Sequence, residues 1–169
     1  MKKIIILIIF IIISYALISF YITNNTIIPN ESIRIRVLSN SNSDIDQNIK
    51  KQISKNIMIY LNKELKDINS IKEARTKIIN SINDINKIID KTLKENNINQ
   101  DYKTTYGYNY FPEKEFLNKK YKEGFYESLL ITLGTGLGNN FWCLLFPPLC
   151  MLDNEEMEYT SLINELLNV

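Results

Sequence analysis

The stretch Leu129–Asp153, LLITLGTGLGNNFWCLLFPPLCMLD, holds the most unusual residue choices in the chain. Its first apolar run, Leu129–Leu133, leads into alternating glycines and two asparagines: Gly134, Gly136, Gly138, Asn139 and Asn140. A second apolar run, Phe141–Phe146, stops at Pro147 and Pro148, which cannot donate hydrogen bonds to a β-ladder. Two short apolar runs separated by Gly and Asn predict a hairpin or a pair of neighbouring strands.

Period-two patterns predict further strands on both sides of the glycines. Ile33–Leu38 alternates apolar side chains with Arg34 and Arg36, which indicates a half-buried strand with a solvated arginine face. Tyr102–Phe111 carries tyrosines on one face, either as a packed ladder or as a recognition surface. Pro112 ends that strand, the charged segment 113–122 is expected to be a surface loop, and Phe125–Leu133 is another strand.

Spacings of three and four predict the helices. An amphipathic helix is expected over Asp44–Lys66, a second over Ser70–Asn96, and a final one over Asn154–Val169. Each of these helices has one apolar side, which must pack against a sheet or against another helix. The fold class is therefore α+β, with a small sheet of about three to five strands packed with two long amphipathic helices.

The N-terminus predicts export or anchoring. Lys2 and Lys3 precede an uncharged apolar run from Ile4 to Ile22, close to the length that spans a bilayer. Small residues at Ser14 and Ala16 fit a cleaved signal peptide, whereas the apolar run beyond them favours an uncleaved anchor. Residues 1–22 are thus a signal peptide or membrane anchor, 23–32 a linker, and 33–169 a single extracytoplasmic α+β domain.

Composition excludes several classes of chemistry. The net charge is +1 and the chain has no histidine, which argues against nucleic-acid binding and excludes catalysis through histidine. We expect no metal, because the chain has no histidine and only two thiols to offer as soft ligands. We expect no nucleotide cofactor, because the glycines lead into a strand rather than a helix N-terminus. A nucleophile pair of Ser39 or Ser41 with Lys50 or Lys51 is conceivable, yet nothing in the sequence fixes a lysine beside either serine.

The two cysteines of the chain, Cys143 and Cys150, flank the proline pair. Outside the cytoplasm they could form a disulfide, with Pro147 and Pro148 supplying the reversal of direction. Two buried thiols are the alternative.

Two blocks of residues resemble a known family. The first, IRIRVLSNSNSDIDQNIK at Ile33–Lys50, contains Asn40, Ser41, Asp46, Gln47 and Lys50. The second, Gly124–Asp153, contains Gly124, Tyr126, Glu127 and Leu129, the three alternating glycines, and the runs Asn140–Cys143 and Phe146–Cys150. In these blocks the chain resembles stage II sporulation protein R of endospore-forming Firmicutes.

The resemblance implies a signalling role without catalysis. Such proteins are exported from the forespore into the space between forespore and mother cell, where they trigger a membrane-bound aspartic protease. That protease then processes pro-sigma-E in the mother cell. The implied partner is therefore the membrane-embedded protease, with a membrane contact of the chain itself if residues 1–22 are not cleaved.

A contact for that protease can be hypothesised from the apolar segment Trp142–Leu149, rimmed by Asn139 and Asn140, because Trp is a favoured anchor at interfaces. The hypothesised contact residues are Asn139, Asn140, Phe141, Trp142, Phe146, Pro147, Pro148 and Leu149. Alternatively, the same residues fill the inner face of the sheet. Two other functional classes remain open at this point: a cell-envelope hydrolase and a structural envelope protein.

Overall fold

The structure is a computed structural model. It describes residues 2–24, 32–116 and 119–148, including their side chains except at 2, 4–6, 18–24 and 114–121. The helices are α1 (Lys2–Asn24), α2 (Asp44–Leu65), α3 (Ile71–Asn80) and α4 (Ile82–Glu95). The strands are β1 (Ile33–Leu38), β2 (Tyr102–Phe111), β3 (Lys114–Phe116), β4 (Lys119–Tyr121), β5 (Gly124–Leu133) and β6 (Asn140–Phe146).

The chain divides into two compact units, the first formed by Met1–Asn30 with Glu113–Lys122 and the second by the remainder. In the first unit, α1 exposes apolar side chains such as Phe10 and Leu17. Within the described residues, no helix combines the length and the apolar character needed to cross a membrane.

The prediction of a surface loop over 113–122 is wrong, because β3 and β4 pair as an antiparallel hairpin in the first unit. A charged sequence indicates exposure to water. It does not exclude backbone pairing in a two-stranded ribbon.

In the second unit, four strands form one mixed sheet in the order β2-β5-β1-β6. The strand β1 is parallel to β5 and antiparallel to β6, and β2 is antiparallel to β5. The prediction that β5 and β6 are hairpin or neighbouring strands is therefore wrong, since β1 lies between them. β1 occupies this central position with Ile33, Ile35 and Val37 all 0% exposed. The glycine-rich connection 134–139 passes the end of β1.

One face of the sheet packs against α2, α3 and α4, which confirms the α+β fold class. The core residues alternate along the strands and recur every three or four positions on the helices, with Ile53, Ile57 and Leu61 of α2 at 0% exposed. Each such side chain contributes about 1.5–3 kcal/mol when it is removed from water. The apolar periodicity of the sequence thus predicts this interface correctly.

The helix predicted over Ser70–Asn96 is interrupted. Ser81 ends α3 and precedes α4, and its N–H donates to the carbonyls of Lys77 and Ile78. Ser81 is 3% exposed and its hydroxyl lies 3.3 Å from the Tyr60 hydroxyl of α2. A small polar residue at this point of the buried stripe allows a bend, so both halves keep their apolar faces on the core. The final helix predicted over Asn154–Val169 lies outside the described residues.

Candidate functional site

The loops after β1 and β5 meet beside the first turn of α2. We call the described residues 39–50 and 134–139 the loop junction. It brings together the residues singled out in the first sequence block and the three glycines of the second. Because β1 and β5 are parallel neighbours, their carboxyl ends lie at the same edge of the sheet, which places these loops next to each other.

Asp46 holds the first loop against α2. Its Oδ2 accepts hydrogen bonds from Ser41 Oγ at 2.5 Å and from Asn40 Nδ2 at 3.1 Å. Its backbone N–H donates to Ser43 Oγ, the N-cap of α2. The hydrogen bond from Ser41 is the largest influence on the Asp46 carboxyl and, with those from Asn40 and Ser43, lowers its pKa. The carboxylate therefore favours the ordered loop at neutral pH.

Asn40 joins the two loops directly. Its Oδ1 accepts the backbone N–H of Thr135 at 3.0 Å, while its carbonyl accepts the Thr135 hydroxyl at 2.7 Å. A Cβ at Gly134 would overlap the Asn40 side chain, and Gly134 has a φ of +53°. Glycine is needed there for both reasons.

A buried part of the loop junction surrounds Ser39, which is 0% exposed. The Ser39 hydroxyl lies within donor distance of the carbonyls of Ser41 (2.7 Å) and Asn139 (3.2 Å), and it accepts from Gln47 Nε2 at 2.6 Å. Lys50, 7% exposed, donates to Gln47 Oε1 at 2.5 Å and to the Asn139 carbonyl at 3.1 Å. The expectation that no lysine is fixed near a serine is thus wrong, since Lys50 and Ser39 share two partners.

This arrangement gives Ser39 a structural role. Its hydroxyl is directed at carbonyl oxygens and its side chain is shielded from solvent, so it is not presented to a substrate. Lys50 donates to the side-chain oxygen of Gln47 and to the Asn139 carbonyl. Ser39 and Lys50 of the pair considered from the sequence are therefore brought close, and both contact Gln47 and the Asn139 carbonyl.

Glu127 of β5 links the sheet to α3. Its carboxylate receives a bidentate pair from Arg75, with Nε at 2.5 Å and Nη2 at 2.9 Å, and a third hydrogen bond from the Tyr106 hydroxyl at 2.8 Å. The Arg75 hydrogen bonds lower the pKa of Glu127, and Tyr106 acts in the same direction. Burial raises the pKa of Tyr106 above its ordinary value, and the bond to Glu127 adds to that rise. The triad fixes α3 and β2 onto β5.

The opposite face of the sheet carries arginines among aromatic rings. We call Arg34, Arg36, Phe111, Tyr126 and Trp142 the arginine–aromatic face. The guanidinium of Arg34 lies 3.4 Å from the Tyr126 ring centroid, and that of Arg36 lies 5.5 Å from the Trp142 centroid. Phe111 and Trp142 contact edge-on, with centroids 5.0 Å apart.

Arg34 is 8% exposed and Phe111 is 1% exposed, whereas Arg36, Tyr126 and Trp142 are partly buried. The prediction of a solvated arginine face is therefore wrong for Arg34. Alternation in a strand indicates two faces with different side chains. It does not indicate whether the polar face is covered.

Comparison with known proteins identifies the family to which this chain belongs. The family model for stage II sporulation protein R matches residues 29–156. The chain belongs to the stage II sporulation protein R family. Stage II sporulation protein R of Bacillus subtilis (strain 168) is 42% identical over 127 residues, which are 75% of this chain and 57% of that protein. No solved structure matches.

In this member of the stage II sporulation protein R family, the hypothesised contact residues fall into two groups. Asn139 and Pro148 are exposed, whereas Asn140, Phe141, Trp142, Phe146 and Pro147 are partly buried. Phe141 and Phe146 pack against the core on the helix side. Leu149 lies outside the described residues. The contact hypothesis for this segment stays a prediction.

Cys143 is buried in β6 and is disulfide-bonded. Cys150, the other cysteine of this family member, lies outside the described residues. The pairing of Cys143 with Cys150 stays a prediction.

The tyrosine ladder of β2 divides into a packed half and an exposed half. Tyr102 and Tyr106 pack against the core, whereas Tyr108 is 73% and Tyr110 48% exposed. Phe125, paired with Tyr110 across the strands, is 70% exposed and contacts its ring at a centroid distance of 5.7 Å. We call Tyr108, Tyr110 and Phe125 the exposed aromatic surface. The packed ladder predicted from the sequence is confirmed for Tyr102 and Tyr106, whereas a recognition role for the exposed tyrosines stays a prediction.

Proposed function

We propose that this protein is an exported sporulation signal that activates a membrane-bound aspartic protease, leading to processing of pro-sigma-E in the mother cell. Membership of the stage II sporulation protein R family carries this proposal. In the same proposal, residues 1–22 act as signal peptide or anchor and deliver the domain to the space between forespore and mother cell. The uncharged run from Ile4 to Ile22 after Lys2 and Lys3 supports that part.

The proposed mechanism is binding without catalysis by this chain. A ligand shifts a protease towards its active arrangement only when it binds that arrangement more tightly than the inactive one. Such a ligand needs a rigid surface that is accessible to its partner. The loop junction and the Glu127 triad supply rigidity, since both join segments that are far apart in the chain.

The exposed aromatic surface is a suitable contact for the protease. Tyr108 and Phe125 present large apolar area to solvent on neighbouring strands, and Tyr110 donates to Glu123 at 2.6 Å, which orients its ring. Tyrosine and aromatic rings are enriched among residues that dominate binding energy. The segment that includes Trp142 and Pro148 is the second candidate contact, as the sequence suggests.

Co-expression tests the function. The chain is produced in a non-sporulating host with the candidate protease and its pro-sigma substrate, and the shortened sigma factor is followed by immunoblot. We expect cleavage only when this chain is present. Absence of cleavage, with the chain shown to be exported and folded, would reject the proposal. Processing that is independent of this chain would favour a structural role in the envelope.

A further inference from the structure

Leu137 lies in the glycine-rich loop between β5 and β6 and is almost fully exposed. Its exposed fraction is 84%, the largest of any large apolar side chain that the structure describes. The glycines on either side of it lie against the domain. A Cβ at Gly136 would come within 2.7 Å of the Thr132 side chain, and one at Gly138 would overlap Ser39. The loop therefore packs closely on both sides of Leu137, while the leucine itself stays in water.

Hydrogen bonds fix the backbone of this loop. Their acceptors, at 2.7–3.1 Å, belong to the residue before β2, the loop after β1 and the end of β5. The backbone N–H groups that donate are those of Gly134, Thr135, Gly136, Gly138 and Asn139. A side chain held on a fixed backbone loses little conformational freedom when it binds a partner. The loop is thus preorganised to present Leu137.

A second exposed apolar residue belongs to the same loop junction. Ile45, in the first turn of α2, is 68% exposed. It directly precedes Asp46, which accepts a hydrogen bond from Asn40. Asn40 also accepts the N–H of Thr135, two residues before Leu137. We call Leu137 and Ile45 the exposed apolar pair. Neither residue belongs to the hydrophobic core, so the apolar area of both is available to a partner.

The charged side chains that the loop junction exposes are acidic. Asp44 is exposed directly before Ile45, and Asp101, whose carbonyl accepts the Gly134 N–H, is exposed as well. The lysine of the junction, Lys50, is only 7% exposed. Segments that insert into anionic membrane surfaces carry lysine and arginine beside their apolar residues. The acidic border therefore favours a protein pocket with a basic rim over a lipid surface.

We infer that Leu137 and Ile45 insert into an apolar pocket of the partner protease, with Asp44 and Asp101 facing basic residues at the rim of that pocket. This inference rests on the proposed function and names a further contact within it. The apolar side chains act as the anchor, and the aspartates orient the encounter through complementary charge.

This contact is separate from the exposed aromatic surface. Phe125 of that surface lies near the start of β5, whereas Leu137 follows the end of the strand. From Phe125 to Leu133, the extended strand spans about 26 Å. Substitution at one contact therefore leaves the geometry of the other unchanged.

Replacement of Leu137 tests the inference. The full chain, purified in mild detergent, is titrated onto the immobilised, detergent-solubilised protease, and the same variants are scored by cleavage of pro-sigma-E on co-expression. We expect Leu137→Ser to raise the dissociation constant about tenfold or more, as for loss of an interface anchor. Its unfolding temperature should not change, because the side chain is exposed. Leu137→Met keeps the apolar volume and is expected to bind within about threefold of the unaltered chain.

Matched substitutions separate this contact from general surface effects. Ile79→Ser is the apolar control, since Ile79 of α3 is 44% exposed, and it should leave binding unchanged. Asp44→Asn is expected to weaken binding about threefold at low salt and to have no effect at high salt, because salt screens the charge. Asp67→Asn, beyond the other end of α2, is the charge control and should have no effect at either salt concentration.

The outcomes distinguish this inference from the proposed function. If the unaltered chain neither bound the protease nor supported cleavage, the proposed function would fail and the inference with it. If the unaltered chain did both and Leu137→Ser did so equally, the inference alone would be wrong. Should Leu137→Ser lower the unfolding temperature, Ile45→Ser decides, and unchanged binding by that variant would overturn the inference.

Two other occupants are checked with the same variant. Leu137→Ser might leave protease binding intact but reduce binding to vesicles of phosphatidylethanolamine and phosphatidylglycerol, which would assign the exposed apolar pair to a lipid surface. A dimer in sedimentation velocity that Leu137→Ser dissociates, with protease binding again intact, would assign the pair to a second copy. Either result would overturn the inference.

Discussion

The side-chain oxygen of Asn40 accepts the backbone N–H of Thr135 at 3.0 Å, although the two residues are 95 positions apart in the chain. The Nδ2 of the same amide donates to Asp46 at the start of α2. One side chain therefore connects the loop after β1, the loop after β5 and the first turn of a helix. Removal of this side chain is costly because its partners lose their hydrogen bonds together.

Replacement of Asn40 tests that connection. We expect Asn40→Ala to lower the free energy of unfolding by about 1–3 kcal/mol, since the Thr135 N–H and the Asp46 carboxylate each lose a partner. Urea denaturation followed by Trp142 emission measures it. Asn48→Ala on the exposed side of α2 is the matched control, with a change near zero. Equal midpoints for the two variants would show that the connection is dispensable.

Gly138 tests the close approach of the two loops. Its φ is not in the left-handed region, yet a Cβ there would overlap Ser39 Oγ and the Ser41 carbonyl. We expect Gly138→Ala to destabilise the domain by about 1–3 kcal/mol through overpacking. Gly124→Ala is the control, because its Cβ would meet the Tyr126 ring at 3.5 Å, an ordinary contact. The comparison uses thermal unfolding, and a Gly138→Ala protein as stable as Gly124→Ala would contradict the packing argument.

The Glu127 triad predicts a pH dependence. The folded-state pKa of Glu127 is lowered, chiefly by the Arg75 hydrogen bonds, so its contribution to stability is complete above the unfolded value of about 4.3. That contribution is lost as the pH falls through the lower folded-state pKa. We expect Glu127→Gln to be less stable than the unaltered chain at pH 7 and to lose less stability on acidification.

Urea midpoints measured from neutral to acidic pH check this dependence. Glu123→Gln serves as the control, since Glu123 is an exposed carboxylate that directly precedes β5. If both variants lost stability in parallel with the unaltered chain over the acidic range, Glu127 would not be the group responsible.

The exposed aromatic surface and Trp142 should respond differently to alanine replacement. We expect Tyr108→Ala combined with Phe125→Ala to fold normally and to reduce cleavage of pro-sigma-E at least tenfold, as loss of an interface anchor costs about 2 kcal/mol or more. Ile59→Ala, also an exposed apolar residue, is the control and should leave cleavage unchanged. Full cleavage by the double variant would exclude this surface as the contact.

Trp142→Ala is expected to destabilise the domain instead, because the ring packs against Phe111 and lies beside Arg36. Thermal unfolding of the purified variant decides between the two roles of this residue. If the variant had normal stability but no longer supported cleavage of pro-sigma-E, the segment that includes Trp142 and Pro148 would be favoured as the protease contact.

The cysteine pairing predicts a thiol count. Labelling of the denatured chain is expected to detect no free thiol before reduction and two after it, as the chain has two cysteines. Closing a loop of eight residues stabilises a fold by about 2–3 kcal/mol, so reductant should lower the urea midpoint. Two thiols before reduction would contradict the pairing of Cys143 with Cys150.

Much of the secondary structure could be predicted locally. The bounds of β1 and β2 match their period-two patterns. The helix α2 ends at Leu65, one residue before the end predicted from its apolar spacing. The break at Ser81 escaped prediction because the apolar spacing continues through it. The hairpin β3–β4 escaped because its residues are charged, and backbone pairing leaves little trace in such a sequence.

The fold class, the core-facing side of the helices and strands, and the family resemblance could be predicted because each depends on residues close together in the chain. The position of β1 between β5 and β6, the contact of Asn40 with Thr135 and the burial of Arg34 are seen only in the folded chain. All three have the same cause. Strand order and hydrogen bonds between distant residues depend on where separate segments meet, and an arginine has the same local pattern whether water or another segment covers it.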